Sequence, residues 1–232
     1  MVGIIIAIGL EQTVEYLRHG AQRAQLEAAL NRDGERNRGY IQSDIAAAEA
    51  VAAWAGQQAA GLERAGPSGP LILHAMPRED IGAPDAGVWP SAKASGLTNL
   101  LPSSAQNWLE YLAQVSSETF ETPASAGGRL TSAYAALDQD LIGRGTADRS
   151  GNIELTALGP AQRARLVEDV RAVAERARTV VRKLVIYDIG NDFILSTPLD
   201  ELDAPQATKH YGQIYQRESA AHPAAAYAFG GE

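Results

Sequence analysis

The chain has 232 residues, of which 45% are hydrophobic and only 6% aromatic, with no cysteine and a net charge of −8. That length suffices for one large or two small domains with a sizeable core, and the missing thiols exclude a disulfide framework, a thiolate zinc site and a cysteine nucleophile. The acidic balance, with a pI near 5.1, argues against nucleic acid as a partner, because phosphate binding needs a surplus of Lys and Arg on one face.

Alanine is abundant, and it combines the best helix propensity with little side chain to bury. The expected fold class is therefore all-α, with long helices in close contact. Met1 to Leu10 is apolar and uncharged and runs without a turn signal into the amphipathic stretch Glu11 to Leu30. This is the pattern of a membrane helix emerging into water. A full span needs about 20 apolar residues, so the start of that helix is expected upstream of Met1. The block lacks the basic segment and small-residue cleavage site of a signal peptide and is read as retained.

From Ile4 to about Arg64 there is no proline. Apolar residues recur at helical spacing: Leu10, Val14, Leu17, Ala21, Ala24 and Ala28, then Ile41, Ile45, Ala48, Ala52, Ala55, Ala59 and Leu62. One very long helix or two collinear ones are predicted. Between Asn31 and Gly39 two glycines and five charged residues interrupt the stripe, and each glycine costs roughly 1 kcal/mol relative to alanine. A kink or break is expected near Gly34 or Gly39. The stretch Gly66 to Pro70 ends the helix.

Leu71 to Pro90 reads as an ordered crossing loop whose Leu71, Ile72, Leu73, Met76, Ile81 and Trp89 pack onto the helices. A short helix is predicted around Pro90 to Ser95, another from Pro102 carrying Trp108, Leu109, Leu112, Val115 and Phe120, and a third with Leu130, Tyr134, Leu137, Leu141 and Ile142 on one face. A polar turn, Thr146 to Asn152, leads to Gly159-Pro160, a good helix start. The clearest signal follows. Leu166, Val170, Val173, Ala177, Val180, Leu184 and Tyr187 are spaced 4, 3, 4, 3, 4, 3, the seam of a helix packed at a shallow angle. It is expected to continue through Ile194 and stop at Ser196 to Pro198. Pro205 to Glu218 reads as a short helix and Ser219 to Glu232 as a frayed tail.

Candidate chemistry is sparse. The four histidines, His19, His74, His210 and His222, show no spacing that places a zinc-ligating pair on one helix face. His74 as a general base would need an activated serine and an orienting carboxylate, and Ser68 does not lie in a nucleophile-elbow motif. Asp188 and Asp192 stand one helical turn apart, able to share a proton or hold a cation, as are Asp200, Glu201 and Asp203, although a solvated face is the simpler reading. Asp138-Gln-Asp140 lacks the later ligands of a calcium loop, and Gly61 to Gly66 lacks the lysine of a phosphate loop. Arg171, Arg176, Arg178, Arg182 and Lys183 could meet anionic lipid or an acidic partner, against a solvated helix face. Trp54, Trp89 and Trp108, with Tyr111 and Tyr134, could line a ligand pocket between helices, though bulky plugs in an alanine-rich core explain them more simply. No catalytic, cofactor-binding or metal residue is assigned.

Gly3 to Gln12, Val88-Trp89, Ala92, Ala94-Ser-Gly96, Leu100-Leu-Pro102 and Tyr111 together resemble an uncharacterised bacterial family of single-pass inner-membrane proteins with an N-terminal membrane helix and a helical extramembrane domain. The resemblance covers about residues 3 to 195. It implies an anchor contacting membrane lipid through Val2 to Leu10 and a periplasmic domain, and it brings no catalytic residues. Arg18, Arg23, Arg32, Arg36 and Arg38, taken alone, point to the cytoplasmic face. The expected organisation is a membrane helix and its exit over 1–17, a helical domain over 18–198, and a short helix with a tail over 199–232. The expected role is an interaction or scaffold protein of the cell envelope, binding a protein partner or a second copy through its helices. The alternatives are a sensory domain binding a small ligand and an unrecognised hydrolase.

Overall fold

The computed structural model describes residues 2–65, 71–77, 81–84, 87–141, 145–155 and 158–223, with the backbone alone for 2–10, 146 and 147. It is mostly helical, with a bundle of α-helices joined to one small sheet.

Helix α1 runs unbroken from Val2 to Arg64, about 95 Å at a rise of about 1.5 Å per residue. The break expected near Gly34 or Gly39 is absent, and packing explains why. Gly34 meets helix α5 (Pro160–Ser196) so closely that a Cβ there would lie 2.9 Å from Leu195 Cδ2. The Gly34 carbonyl also accepts a hydrogen bond from Asn191 Nδ2 at 3.0 Å. These tertiary contacts offset the propensity lost at glycine. The charges nearby find partners as well: Arg36 pairs with Asp33 and Arg38 with Asp192.

Along α1 the burial changes sharply. Residues 11–21 are all exposed, and continuous packing begins with Leu26 and Leu30. The sequence stripe through Val14, Leu17, Ala21, Ala24 and Ala28 therefore does not enter the core, which takes Leu26, Leu30, Ile41, Ile45, Ala48, Val51, Ala55, Ala59 and Leu62 instead. Among the described residues no helix is long and apolar enough to cross a membrane.

Helix α5 is the hub. It packs against α1, α3 (Ser103–Phe120), α4 (Ala126–Leu141) and α6 (Pro205–Ala221). Its N-terminus carries Pro160 in the first turn, and the Gly159 N–H donates to Gln162 Oε1 at 3.0 Å. Covered from several sides, it buries the expected seam completely at Val170, Val173, Ala177 and Val180, and Val181 and Val185 beside it. It lies antiparallel to α1: Gly34 meets its C-terminal end, and Glu63 pairs with Arg171 near its start. The short α2 (Val88–Ala94) seats Trp89 and Ala92, and α6 buries Ala207 and Ile214.

The helical content agrees with the all-α expectation, to which the structure adds one small sheet. Strands β1 (Leu71–Leu73), β2 (Gly145–Ala147) and β3 (Ile153–Leu155) form an antiparallel sheet in the order β1-β3-β2, with Leu71 opposite Leu155 and Thr146 opposite Glu154. They occupy what reads in sequence as a crossing loop and a polar turn. Each is three residues long, too short for a two-residue alternation to stand out. The β2–β3 turn is held by Asp148, whose Oδ1 accepts from the Ser150 and Asn152 N–H groups at 2.7 and 3.0 Å. Leu71, Leu73 and Trp89 pack as expected and Met76 and Ile81 partly so, whereas Ile72 faces out.

Candidate functional site

The buried polar groups concentrate on the C-terminal part of α5, where α1 and α6 cover it. Asp188, Asn191 and Asp192 of α5 are buried together with Asn37 of α1 and Glu218 of α6. Helical spacing places Asp188 and Asp192 on one face, as the sequence indicates, but that face is interior. Asp192 is matched by two arginines: Arg38 pairs with Oδ1, and Arg217 Nη2 donates to Oδ2 at 2.5 Å. Arg217 Nε also donates to Glu218 Oε1 at 2.7 Å, so one guanidinium joins two carboxylates.

Asp188 has no such cation of its own. Its Oδ2 accepts from Gln42 Nε2 at 2.5 Å, while Oδ1 is buried with no hydrogen-bond partner. Burial, followed by the nearby charges of Glu218 and Asp192, raises its pKa from 3.8 to about 6. A proton on the carboxyl would relieve the cost of the desolvated charge. The group therefore takes up a proton at a higher pH than an ordinary carboxylate. Beside it, Asn37 Nδ2 lies 3.5 Å from Tyr187 Oη, and the groups around Gly34, Asn37, Trp89, Tyr187 and Asn191 leave a cavity of about 50 Å³.

The other sequence candidates are scattered. His19 is exposed on the N-terminal part of α1, and the side chain of His74 is exposed while its backbone bonds Trp54 and Gln58. Ser68, Gly66 and Ile142 lie outside the described residues. Asp200 pairs with Arg23 at 2.7 Å, and Glu201 and Asp203 are exposed. Asp138 is exposed, but Asp140 is buried, with Arg165 Nε at 3.1 Å. Burial and a hydrogen bond with Asp140 push Asp169 up as well. Among the described residues no group of three His, Cys, Asp or Glu is placed to hold a metal ion.

The basic run on α5 is dispersed around the helix. Arg171 pairs with Glu63, Arg178 with Glu175, and Lys183 with Glu118 at 2.5 Å. The tryptophans likewise occupy separate places. Trp54 donates to the His74 carbonyl at 3.2 Å and Trp89 to Glu110 at 3.0 Å. Trp108 packs on Phe193, Tyr211 and Tyr111, with ring centres 5.0, 5.2 and 5.9 Å apart.

Two features escaped sequence reasoning. Ser196 Oγ lies 2.8 Å from His210 Nε2, but the serine hydroxyl also donates to the Asp192 carbonyl at 2.6 Å. That bond commits its proton to a helix end and leaves His210 the donor. His222 Nδ1 meets Glu49 Oε1 at 2.9 Å. Both pairs join segments that sequence spacing does not associate.

Fold and site together define a class: a helical bundle with a buried acidic seam, continuous with an unpacked helical arm. No protein-family model, curated protein or solved structure matches the chain.

Proposed function

We propose that this chain is a membrane-tethered interaction protein of the bacterial cell envelope, its helical bundle held off the inner membrane, on the periplasmic side, by the N-terminal arm of α1. The observation that carries the reading is the continuity of α1. The helix is unbroken from Val2 to Arg64, yet residues 11–21 touch little of the bundle and are exposed. An isolated helix of that size is marginal in water, so a helical arm calls for something to cover it. The apolar block Val2 to Leu10 corresponds to about 13 Å of helix, close to half of a hydrocarbon core of about 30 Å. Lipid at that block and protein along the rest of the arm would supply the cover.

The recesses favour interaction over small-ligand sensing. The cavity at Trp89 is about 50 Å³, space for little more than water. A larger recess of about 460 Å³ between Leu62, Leu158, Arg163 and Val167 is an open groove at the far end of the bundle. Flotation of the full chain with phospholipid vesicles tests the tether. Co-flotation that persists at high salt and is lost in the double variant Ile5→Asp, Ile8→Asp supports it. A chain that stays at the bottom of the gradient, or floats equally with both aspartates present, overturns it.

A further inference from the structure

Val14, Leu17, Ala21, Ala24 and Ala28 recur along α1 at intervals of 3, 4, 3 and 4 residues, and all five are exposed, Val14 at 61% and Leu17 at 64%. A mean repeat near 3.5 residues is the seam of a two-stranded coiled coil. In heptad positions Leu10, Leu17 and Ala24 are d, and Val14, Ala21 and Ala28 are a. Within a parallel coiled coil, a β-branched residue at a with leucine at d, as at Val14 and Leu17, favours two strands. The register continues in sequence through Ala7 and Gly3.

The direction of this seam is as informative as its spacing. At about 100° per residue, Ala28 lies on the opposite side of the helix from the line midway between Leu26 and Leu30, which are buried against the bundle. A helix laid on the seam leaves Leu26 and Leu30 on the far side. The flanking positions agree. In a parallel pair Thr13 faces Arg18, Gly20 faces Gln25, and Glu27, which also pairs with Arg23 of its own helix, faces Arg32, so no like charges meet. The next seam positions are Asn31, Glu35 and Arg38, and there Arg38 turns to Asp192 in its own bundle. Polar residues end the apolar strip where the bundle takes over.

We infer that residues 10–28 of α1 form the interface with a second copy of this chain, a parallel, in-register, two-stranded coiled coil. The inference rests on the proposed reading of this segment as the arm of an interaction protein, and it names the partner. Alanine at three of the six seam positions keeps the helices close and the buried area modest. Pairing is correspondingly weak for free chains and strong where a tether raises the effective concentration.

The absence of cysteine makes the test direct. Single variants of the full chain are oxidised while bound to vesicles and also free at high concentration: Leu17→Cys and Ala24→Cys at d positions, Gln12→Cys and His19→Cys on the opposite face. Parallel, in-register pairing brings identical d residues within disulfide reach, so the first two should give disulfide dimers at least about tenfold faster than the others. Adding Val14→Asp should abolish the Ala24→Cys dimer while co-flotation stays unchanged. Equal rates on both faces, or no dimer at either d position, overturns the pairing. If flotation fails but linking in solution remains specific to the d positions, the tether falls and the coiled coil stands. If flotation holds and linking is indifferent to face, the coiled coil alone falls.

Discussion

Replacing Asp188 by Asn removes a buried charge while keeping the shape of the side chain. The native carboxylate is only 4% exposed; Oδ2 accepts from Gln42, and Oδ1 has no hydrogen-bond partner. Asparagine retains an acceptor for Gln42 and carries no charge. Burial, then Glu218 and Asp192, moves the carboxyl from 3.8 to about 6, which corresponds to about 3 kcal/mol at about 1.4 kcal/mol per pH unit. The unfolded chain loses this proton near 3.8, whereas the folded chain holds it to about 6. The stability from this group is therefore fully present below the lower value and is lost as pH rises through the upper one. Glu110, Glu118 and Asp148 work in the opposite sense, held below the usual carboxylate range by Lys93, Lys183 and Asn152 respectively. Their contribution is common to both chains and cancels in the comparison. Urea unfolding followed by far-UV circular dichroism should show D188N more stable than the parent by about 2–3 kcal/mol near pH 8, a gap that closes to within about 0.5 kcal/mol near pH 4. A gap that does not change with pH, or an Asn variant that is the less stable of the two near pH 8, refutes the reasoning.

Two further substitutions test packing. A Cβ on Gly128 in the first turn of α4 would lie 2.7 Å from Pro123 Cα, an atom of the backbone that cannot swing aside; Gly128→Ala should cost about 1–3 kcal/mol in the same urea assay. The Tyr134 hydroxyl is buried without a hydrogen-bond partner, and burial raises its pKa to about 12. Tyr134→Phe should therefore leave stability unchanged or raise it by up to about 1 kcal/mol, and a clear loss in thermal unfolding would reveal a partner for that hydroxyl.

The parts of the fold legible in the sequence are those set by local pattern. The seam from Leu166 to Tyr187 carries α5 in its spacing, and Gly159-Pro160 and Pro205 mark helix starts that the structure keeps. The β-strands were not legible because each depends on pairing with residues about 80 positions away for β1 and on a tight turn for β2. Gly34 carries the sequence signal of a break, but what holds the helix together there, Asn191 and Leu195, comes from α5. The stripe on α1 marks a helix, but its spacing does not reveal that the helix has two faces, one serving the bundle from Leu26 onward and one left outside it.

The site divides in the same way. Asp188 and Asp192 stand out as a pair because a helix puts residues four apart on one face. Gln42, Arg38, Arg217 and Glu218, which set their environment, reach them from α1 and α6, and no spacing in the sequence announces such a meeting. Burial is also what separates this pair from Asp200, Glu201 and Asp203, which look alike in sequence and lie at the surface or in an exposed ion pair.

The central claim is that the N-terminal arm of α1 is covered from outside the chain and not by its own bundle. Amide hydrogen exchange on the full protein, free at low concentration and then bound to vesicles, measures that cover residue by residue. The account predicts fast exchange over residues 11–25 in the free chain and strong protection on binding, with residues 41–62 slow and unchanged in both states. Protection over 11–25 in the dilute free chain equal to that over 41–62, or no gain on the vesicles, would contradict it.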